Sequence, residues 1–221
     1  MQRLLDIIFS SVAILALLPL LVPVVLILKF SGEGEIFFLQ SRVGKGGKAF
    51  KLYKFATMLK NSPSIGTGTI TLKEDPRVLP IGKILRKSKI NELPQLLNIL
   101  VGNMSIVGPR PQTQRCFDSF PPAAQAAIVS IRPGLTGIGS IVFRDEETII
   151  GQREDSTAFY DSVLMPYKGL LEQWYVAHET VTNYLLLIGC TAWVVIFPRS
   201  AVVWKIFKEL PPPPAGLNEM L

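Results

Sequence analysis

The chain is poor in the residues that carry metal and redox chemistry. It has two cysteines, Cys116 and Cys190, far apart and outside any CxxC pair. They imply neither a disulfide framework nor a zinc site, and a reducing cytoplasmic setting fits them. The lone histidine, His178, excludes a histidine-rich metal cluster. Acids are also scarce, 17 against 23 basic residues, so the net charge is +6. A basic, apolar chain meets anionic lipid, nucleic acid or phosphate ligands. No nucleic-acid-binding motif is present, so no nucleic-acid partner is expected. Only one apolar run is long enough to span a bilayer, which argues against a channel or small transporter. What is abundant is hydrophobicity: 48% of the 221 residues, with a mean hydropathy of +0.35. That is high for a soluble protein of this size and points to membrane contact. The length suits one sizeable domain, alone or with appendages.

Ile7–Leu28 is a run of 22 residues without a charge. A cleaved signal peptide is disfavoured, because Arg3 is the only basic residue ahead of the run, the acid Asp6 comes after Arg3, and no small-x-small site ends the run. A plain spanning helix and a re-entrant helix both remain. Pro19 and Pro23 favour the second, since each deletes a backbone hydrogen bond and kinks a helix. So does charge on both flanks: Arg3 before the run, and Lys29, Arg42, Lys45, Lys48, Lys51, Lys54 and Lys60 after it. One crossing cannot keep both flanks in the cytoplasm. Tyr184–Phe197 is too short to span comfortably. It reads as an interfacial helix or as a buried core helix, and Ala201–Phe207 continues it after Pro198-Arg199. Trp193 and Trp204 suit a headgroup region. Pro211–Pro214 reads as extended and loosely held.

Between these segments, Glu35–Gln40 and Ala49–Phe55 read as two strands of a hairpin around the basic, glycine-rich stretch Arg42–Lys48. Gly44, Gly46 and Gly47 suit a simple turn better than a phosphate cradle. Asn61–Leu72 reads as a loop that can move. Leu79–Lys87 is a short basic amphipathic helix, matched to anionic lipid, a diphosphate or plain solvent. Then comes Lys87–Pro111, KSKINELPQLLNILVGNMSIVGPRP. Leu93, Leu96, Leu97, Leu100 and Val101 follow a helical repeat and predict one buried face. Asn91 is a good N-cap type, Pro94 is tolerated in a first turn, and Glu92 falls beside the helix start, where phosphate is favoured. Arg110 sits between two prolines that stiffen its loop, which suits a bidentate phosphate contact over a surface arginine.

These motifs resemble those of the bacterial sugar transferases, the small monotopic phosphoglycosyl transferases. The resemblance runs through Arg3…Asp6 and the proline-broken run, Ile36-Phe37…Gln40…Arg42-Val43-Gly44, Tyr53-Lys54-Phe55…Thr57-Met58 and Asp75-Pro76-Arg77. It continues through Glu92-Leu93-Pro94-Gln95-Leu96, Val107–Pro111, Pro133–Gly137, Tyr175-Val176 and Thr191. It implies an α+β monotopic membrane protein with an N-terminal re-entrant kinked helix, a small β-hairpin and several amphipathic interfacial helices. The implied division is 1–29 re-entrant helix, 30–183 catalytic domain facing the cytoplasm, 184–210 interfacial helices and 211–221 proline-rich flexible tail. The implied place is the bacterial inner membrane.

The resemblance further implies transfer of a sugar 1-phosphate from a UDP-sugar to undecaprenyl phosphate, an early membrane step of exopolysaccharide or glycoconjugate synthesis. In such enzymes an Asp-Glu pair supplies a nucleophile and a Mg²⁺ ligand. Here Asn91 falls on the nucleophile and Glu92 on the metal ligand. A carboxamide is neutral and a poor nucleophile. Ala56 replaces a usual basic residue, and Tyr184 falls near a usual late acid. Three routes follow: direct attack by lipid phosphate, with Asp145 or Glu146 aiding Glu92; Glu92 itself as nucleophile; or binding without turnover. Lys54, Arg86 and Arg110 are the expected phosphate ligands, with Arg77 and Arg144 behind them and Asp75 beside Arg77. The rival class is a catalytically silent binding or scaffold member of the same glycan pathway. Oligomeric state stays open, a homodimer included.

Overall fold

The computed structural model describes residues 1–65, 75–151, 155–198, 200–214, 216 and 217. The expected loop over Asn61–Leu72 falls outside them from residue 66 onward, as does Arg199. The apolar run forms one helix, α1 (Gln2–Phe30), assigned without a break through Pro19 and Pro23. Of its residues only Asp6, Ser10, Val24 and Leu28 are buried. Past Ser11 the helix is apolar up to Lys29 and mostly exposed, so it presents a large hydrophobic surface. Its length and composition are sufficient to cross a bilayer.

Strands β1 (Phe37–Val43) and β2 (Ala49–Phe55) pair antiparallel, from Phe37 opposite Phe55 to Val43 opposite Ala49. The hairpin is as expected, but its first strand lies further along than Glu35–Gln40. The turn is a 3-10 turn at Lys45–Gly47, with Gly46 and Gly47 at φ of 69° and 73°. Those angles account for the two glycines. Next come α2 (Pro80–Lys87), a 3-10 turn at Ile90–Glu92 and α3 (Gln95–Val101).

The start of α3 corrects the expectation for Asn91. Pro94 is the N-cap and offers no side-chain cap, while Asn91 sits in the preceding 3-10 turn. The Glu92 and Leu93 amides close 3-10 bonds to Lys89 and Ile90 (3.1 Å each), and Pro94 has no N–H with which to continue them, so the α-helix starts beyond Glu92. The buried face also differs: Gln95, Leu96, Asn98 and Ile99 point inward, and Leu97 and Val101 are exposed. The cause is Asn98. Its Nδ2 donates to the Lys51 carbonyl (2.8 Å) and its Oδ1 accepts from the Tyr53 amide (2.9 Å). This carboxamide continues the sheet beyond β2 and turns α3 toward it.

Strands β3 (Ser105–Val107) and β4 (Gly134–Thr136) form a parallel pair. Helices α4 (Gln114–Asp118) and α5 (Pro122–Ser130) lie between them in sequence. After β4 come α6 (Ile138–Val142), α7 (Glu146–Gly151) and α8 (Ser156–Phe159). A π-helical turn (Tyr160–Leu164) leads into α9 (Met165–Ala177), followed by α10 (Val181–Ile196) and α11 (Val202–Ile206). Among the described residues, two small two-stranded sheets stand among many helices, a mixed α+β class.

The main core joins Phe120, Ile138, Leu164, Leu171 and Tyr175 to Tyr184, Leu187, Cys190 and Val194 of α10. Residues 184–210 therefore share the core of the preceding body. The other side of α10 exposes Leu185, Trp193 and Ile196, so this helix is at once a core helix and an apolar surface. The proline tail is held: the Tyr167 hydroxyl donates to the Pro211 carbonyl (2.8 Å), and Leu210 and Leu217 are buried.

Asp6 fastens α1 to this body. Its Oδ1 accepts from the Ser105 hydroxyl, the Ile106 amide and the Tyr184 hydroxyl, each at 2.9 Å. Arg3 reaches the end of α3, donating to the Ile99 carbonyl (2.5 Å) and the Leu100 carbonyl (2.7 Å). These are carbonyls that the helix end leaves without partners. Replacing Asp6 by Ala strands three donors and is expected to cost about 3–5 kcal/mol. Tyr184→Phe is expected to cost about 1–2 kcal/mol. Thermal unfolding in detergent micelles checks both the order and the size.

Candidate active site

A cavity of about 1410 Å³ opens between the hairpin, the 3-10 turn, the Arg110 loop and α10. Its hairpin wall follows from the strand period. Phe38, Gln40 and Arg42 project to one face of β1, and Lys54 opposite Phe38 joins them from β2. Asn98 fixes the Tyr53 amide, which sets Lys54 beside the turn that carries Glu92.

The second wall is the loop Gly108–Pro111. The Gly108 amide donates to Thr136 (2.9 Å) and the Gly134 amide to Pro109 (2.8 Å). A Cβ at Gly108 would stand 2.5 Å from the Arg132 carbonyl, and one at Gly134 would strike the Gly108 amide. Only glycine permits this approach. Further along, the Val43 amide donates to Gln112 (2.9 Å) and Arg42 Nη1 to the Pro111 carbonyl (3.2 Å). Arg110 is thus presented from a loop tied at both ends.

At the centre, Glu92 accepts from Arg110 Nη2 at 2.6 Å and Nη1 at 3.4 Å, and from Lys54 Nζ at 3.5 Å. Burial opposes its ionisation, but Arg110 and Lys54 prevail and hold the carboxyl well below the usual carboxylate range. Glu92 in turn raises the Arg110 guanidinium against its own burial. Lys54 is pushed down to about 8, chiefly by burial, with Glu92 opposing and Arg110 adding to the fall. Burial and Arg110 together lower Arg42 to about 10. Among the described residues, nine basic side chains line the cavity against four acidic ones, Asp75, Glu92, Asp145 and Glu146. Such a surplus selects an anionic, multiply charged ligand.

The other expected residues divide. Asn91 lines the cavity, buried, and its Oδ1 has no hydrogen-bond partner. Arg86 lines it too, with Nη1 3.9 Å from the Met58 sulfur. Asp145 is exposed on the rim. Glu146 accepts from the buried Lys168 at 2.7 Å, and Arg144 donates to the Val194 carbonyl. Arg77 stands apart from the cavity wall. It holds Asp75 with Nε at 2.8 Å and Nη2 at 2.5 Å, and donates to the Ser62 (2.9 Å) and Ile65 (2.8 Å) carbonyls. These contacts commit it to loop structure, against the expectation of a phosphate ligand. Ala56 is buried, and its amide donates to Ile36 (2.9 Å). Gly44, Gly46 and Gly47 are not in the cavity wall.

Two residues escaped the sequence reading. Arg42 was legible in principle, because the hairpin register puts it on the face of Gln40 and Lys54. Glu172 on α9 carried no signal beyond being an acid in an apolar helix. It is 1% exposed, and neither carboxylate oxygen has a hydrogen-bond partner. A Cβ at Gly139 would strike it. Burial pushes its carboxyl up to about 7, against the pull of Lys168 and Arg110. Above the ordinary carboxylate range the native state thus holds a proton that the unfolded chain has lost. That contribution to stability disappears as pH rises through about 7. Glu172→Gln removes the titration. Relative to the parent, the variant should gain on the order of 2–3 kcal/mol between pH 5 and 8, read from unfolding at the two pH values.

The family model for bacterial sugar transferases matches residues 1–198. The exopolysaccharide production protein ExoY of Sinorhizobium fredii is 39% identical over 159 residues, covering 66% of this chain and 70% of that protein. An Aeromonas hydrophila UDP-N-acetylgalactosamine-undecaprenyl-phosphate N-acetylgalactosaminephosphotransferase is 37% identical over 143 residues, 64% of this chain and 34% of its own length. A Klebsiella pneumoniae UDP-glucose:undecaprenyl-phosphate glucose-1-phosphate transferase is 34% identical over 164 residues, 72% of this chain and 35% of its own length.

Proposed function

As the chain belongs to the bacterial sugar transferase family, we propose that it transfers a sugar 1-phosphate from a UDP-sugar to undecaprenyl phosphate. The observation that carries this reading is the cluster of Arg110, Lys54, Arg42 and Arg86 around Glu92 in one large cavity. The relatives' names supply the substrates, with N-acetylgalactosamine and glucose among their sugars. In the reaction, a lipid phosphate oxygen bonds to the sugar-linked phosphorus as the bond to UMP breaks. Fixed cations lower the cost of bringing two anions together and stabilise the leaving phosphate.

Residue chemistry favours direct attack by the lipid phosphate. Asn91 is a neutral carboxamide. Glu92, held ionised by two cations, is a weak nucleophile, and its role is to space Arg110 and Lys54 for the diphosphate. Asp145 on the rim and Glu146 beside Lys168 stand behind it. Glu92 and the unpartnered Asn91 Oδ1 are hard oxygen donors lining one cavity, which fits Mg²⁺ held by few protein ligands and completed by phosphate and water. When bound there, Mg²⁺ would offset diphosphate charge.

Membrane placement belongs to the same proposal: monotopic, on the bacterial inner membrane, with the cavity toward the cytoplasm. Its support is that α1 meets one body along its whole length. Asp6 bonds to β3 and α10, Ile14 and Leu17 pack near Leu52 and Leu96, and Val24 and Leu28 pack with Phe55 and Leu85. A helix crossing the bilayer would carry one end away from that body. Basic residues on both flanks agree.

UMP release from a panel of UDP-sugars, with undecaprenyl phosphate and Mg²⁺, tests the reading. Release that requires the lipid is expected. Release without lipid, together with a labelled adduct that disappears in Glu92→Gln, would replace direct attack by a covalent route. No release under any condition would leave the silent scaffold. Glu92→Ala should lower the rate by about 100-fold or more. The rate should also fall as pH rises through about 8, where Lys54 loses its charge, and Lys54→Arg should remove that alkaline limb.

A further inference from the structure

The phosphate chemistry uses only part of the cavity. The cavity also has an apolar lining, which includes Ala13 of α1, Leu135 of β4, and Ile188, Thr191, Ala192 and Val195 of α10. The four α10 positions recur at helical spacing and form one stripe. That stripe adjoins the face which α10 buries in the core, so the helix serves the core with one side and the cavity with the next.

Exposure increases along the stripe. Ile188 and Thr191 are partly buried, whereas Ala192 and Val195 are exposed, Val195 to 60%. The apolar arm therefore opens toward the C-terminal end of α10, where other large apolar side chains face outward. At the inner end, the Thr136 and Thr191 hydroxyls are hydrogen-bonded at 2.8 Å and mark where the lining changes character. One cavity thus joins a strongly cationic region to an apolar arm that leads to an apolar exterior.

A ligand that fills both regions has an anionic head and a hydrocarbon chain. A nucleotide sugar is polar throughout and gains nothing from the arm. Resting on the transferase reading above, we infer that the α1–α10 arm receives the first isoprene units of the polyprenyl phosphate. Ala192 keeps the arm open by being small. The stripe on α10 is then a specificity element for the lipid substrate, separate from the groups that hold the diphosphate. Burying an isoprene unit against it removes several apolar carbons from water or detergent, and a bulky residue at 192 forfeits that contact.

The test compares Ala192→Phe with Leu186→Phe, in purified full chain in detergent micelles. Leu186 is exposed on the same helix but is not part of the cavity wall. Ala192→Phe should raise KM for undecaprenyl phosphate about tenfold and leave KM for the UDP-sugar unchanged, while Leu186→Phe should move neither. Val195→Phe repeats the test at an exposed position of the same stripe. Unchanged lipid KM in both stripe variants overturns the inference. So does an equal effect of Leu186→Phe, which would mark a general loss of membrane contact. A rise in the UDP-sugar KM instead would assign the arm to the other substrate. Parent protein that releases no UMP with any substrate pair defeats the transferase reading itself, and is distinguished from these outcomes by needing no variant.

Discussion

Everything in this molecule leans on a carboxylate placed inside it. Asp6 is 1% exposed and collects a hydroxyl, a main-chain amide and a phenol on one oxygen. An unpaired charge at that depth would be severely destabilising, so the three donors must be in place together. They come from β3 and α10, and the helix that carries Asp6 is otherwise almost without polar groups. Asp6, with Arg3 on the end of α3, therefore sets the position of α1 along and around its axis, which smooth apolar packing specifies poorly. β3 runs straight into the Arg110 loop, and α10 forms one side of the cavity. The constraint that docks the apolar helix thus also aligns two walls of the candidate site.

The cavity shows a different economy of charge. Glu92 balances two of its cations, and Glu146 balances the buried Lys168. Basic residues still outnumber acids in the cavity lining, and an anionic substrate complements that surplus. The positions of these groups come from main-chain geometry. Strand alternation places Arg42 with Lys54, the Asn98 carboxamide fixes β2, and glycine at 108 and 134 lets two backbones touch. Rigid supports of this kind let long, flexible side chains present charge with little loss on binding.

The sequence was most readable where a physical period or a conformational requirement acts alone. The apolar run, the hairpin and its glycine turn, and the stiff Arg110 loop all follow from local chemistry. It was least readable around residues 91–101, where two signals conflict. The leucine spacing announces one buried face, yet Asn98 hydrogen-bonds to a strand more than forty positions earlier and rotates the helix. No local pattern reports such a long-range bond. Arg77 misled for the opposite reason. A buried arginine beside an aspartate looks the same in sequence whether it binds phosphate or folds a loop, and only its carbonyl partners decide. Glu172 was illegible because its environment comes entirely from tertiary packing, including the bare backbone at Gly139. Glu92, Lys54 and Arg110, close only through the fold, meet in one cavity, and the sequence could name them as candidates but not show that they touch.

The bond between Asp6 and Tyr184 joins residues 178 positions apart. In time, that separation is a wait. At a synthesis rate of roughly 5–20 residues per second, the ribosome takes on the order of ten seconds or more to pass from one to the other. Through that interval the Asp6 carboxylate lacks its last donor. Assembly is therefore ordered by translation. The helix is made first, the Ser105–Ile106 donors come next, and the helix bearing Tyr184 closes the structure. The cavity acquires its apolar wall only in that closing step, so a nascent chain cannot hold the full site before it is nearly complete.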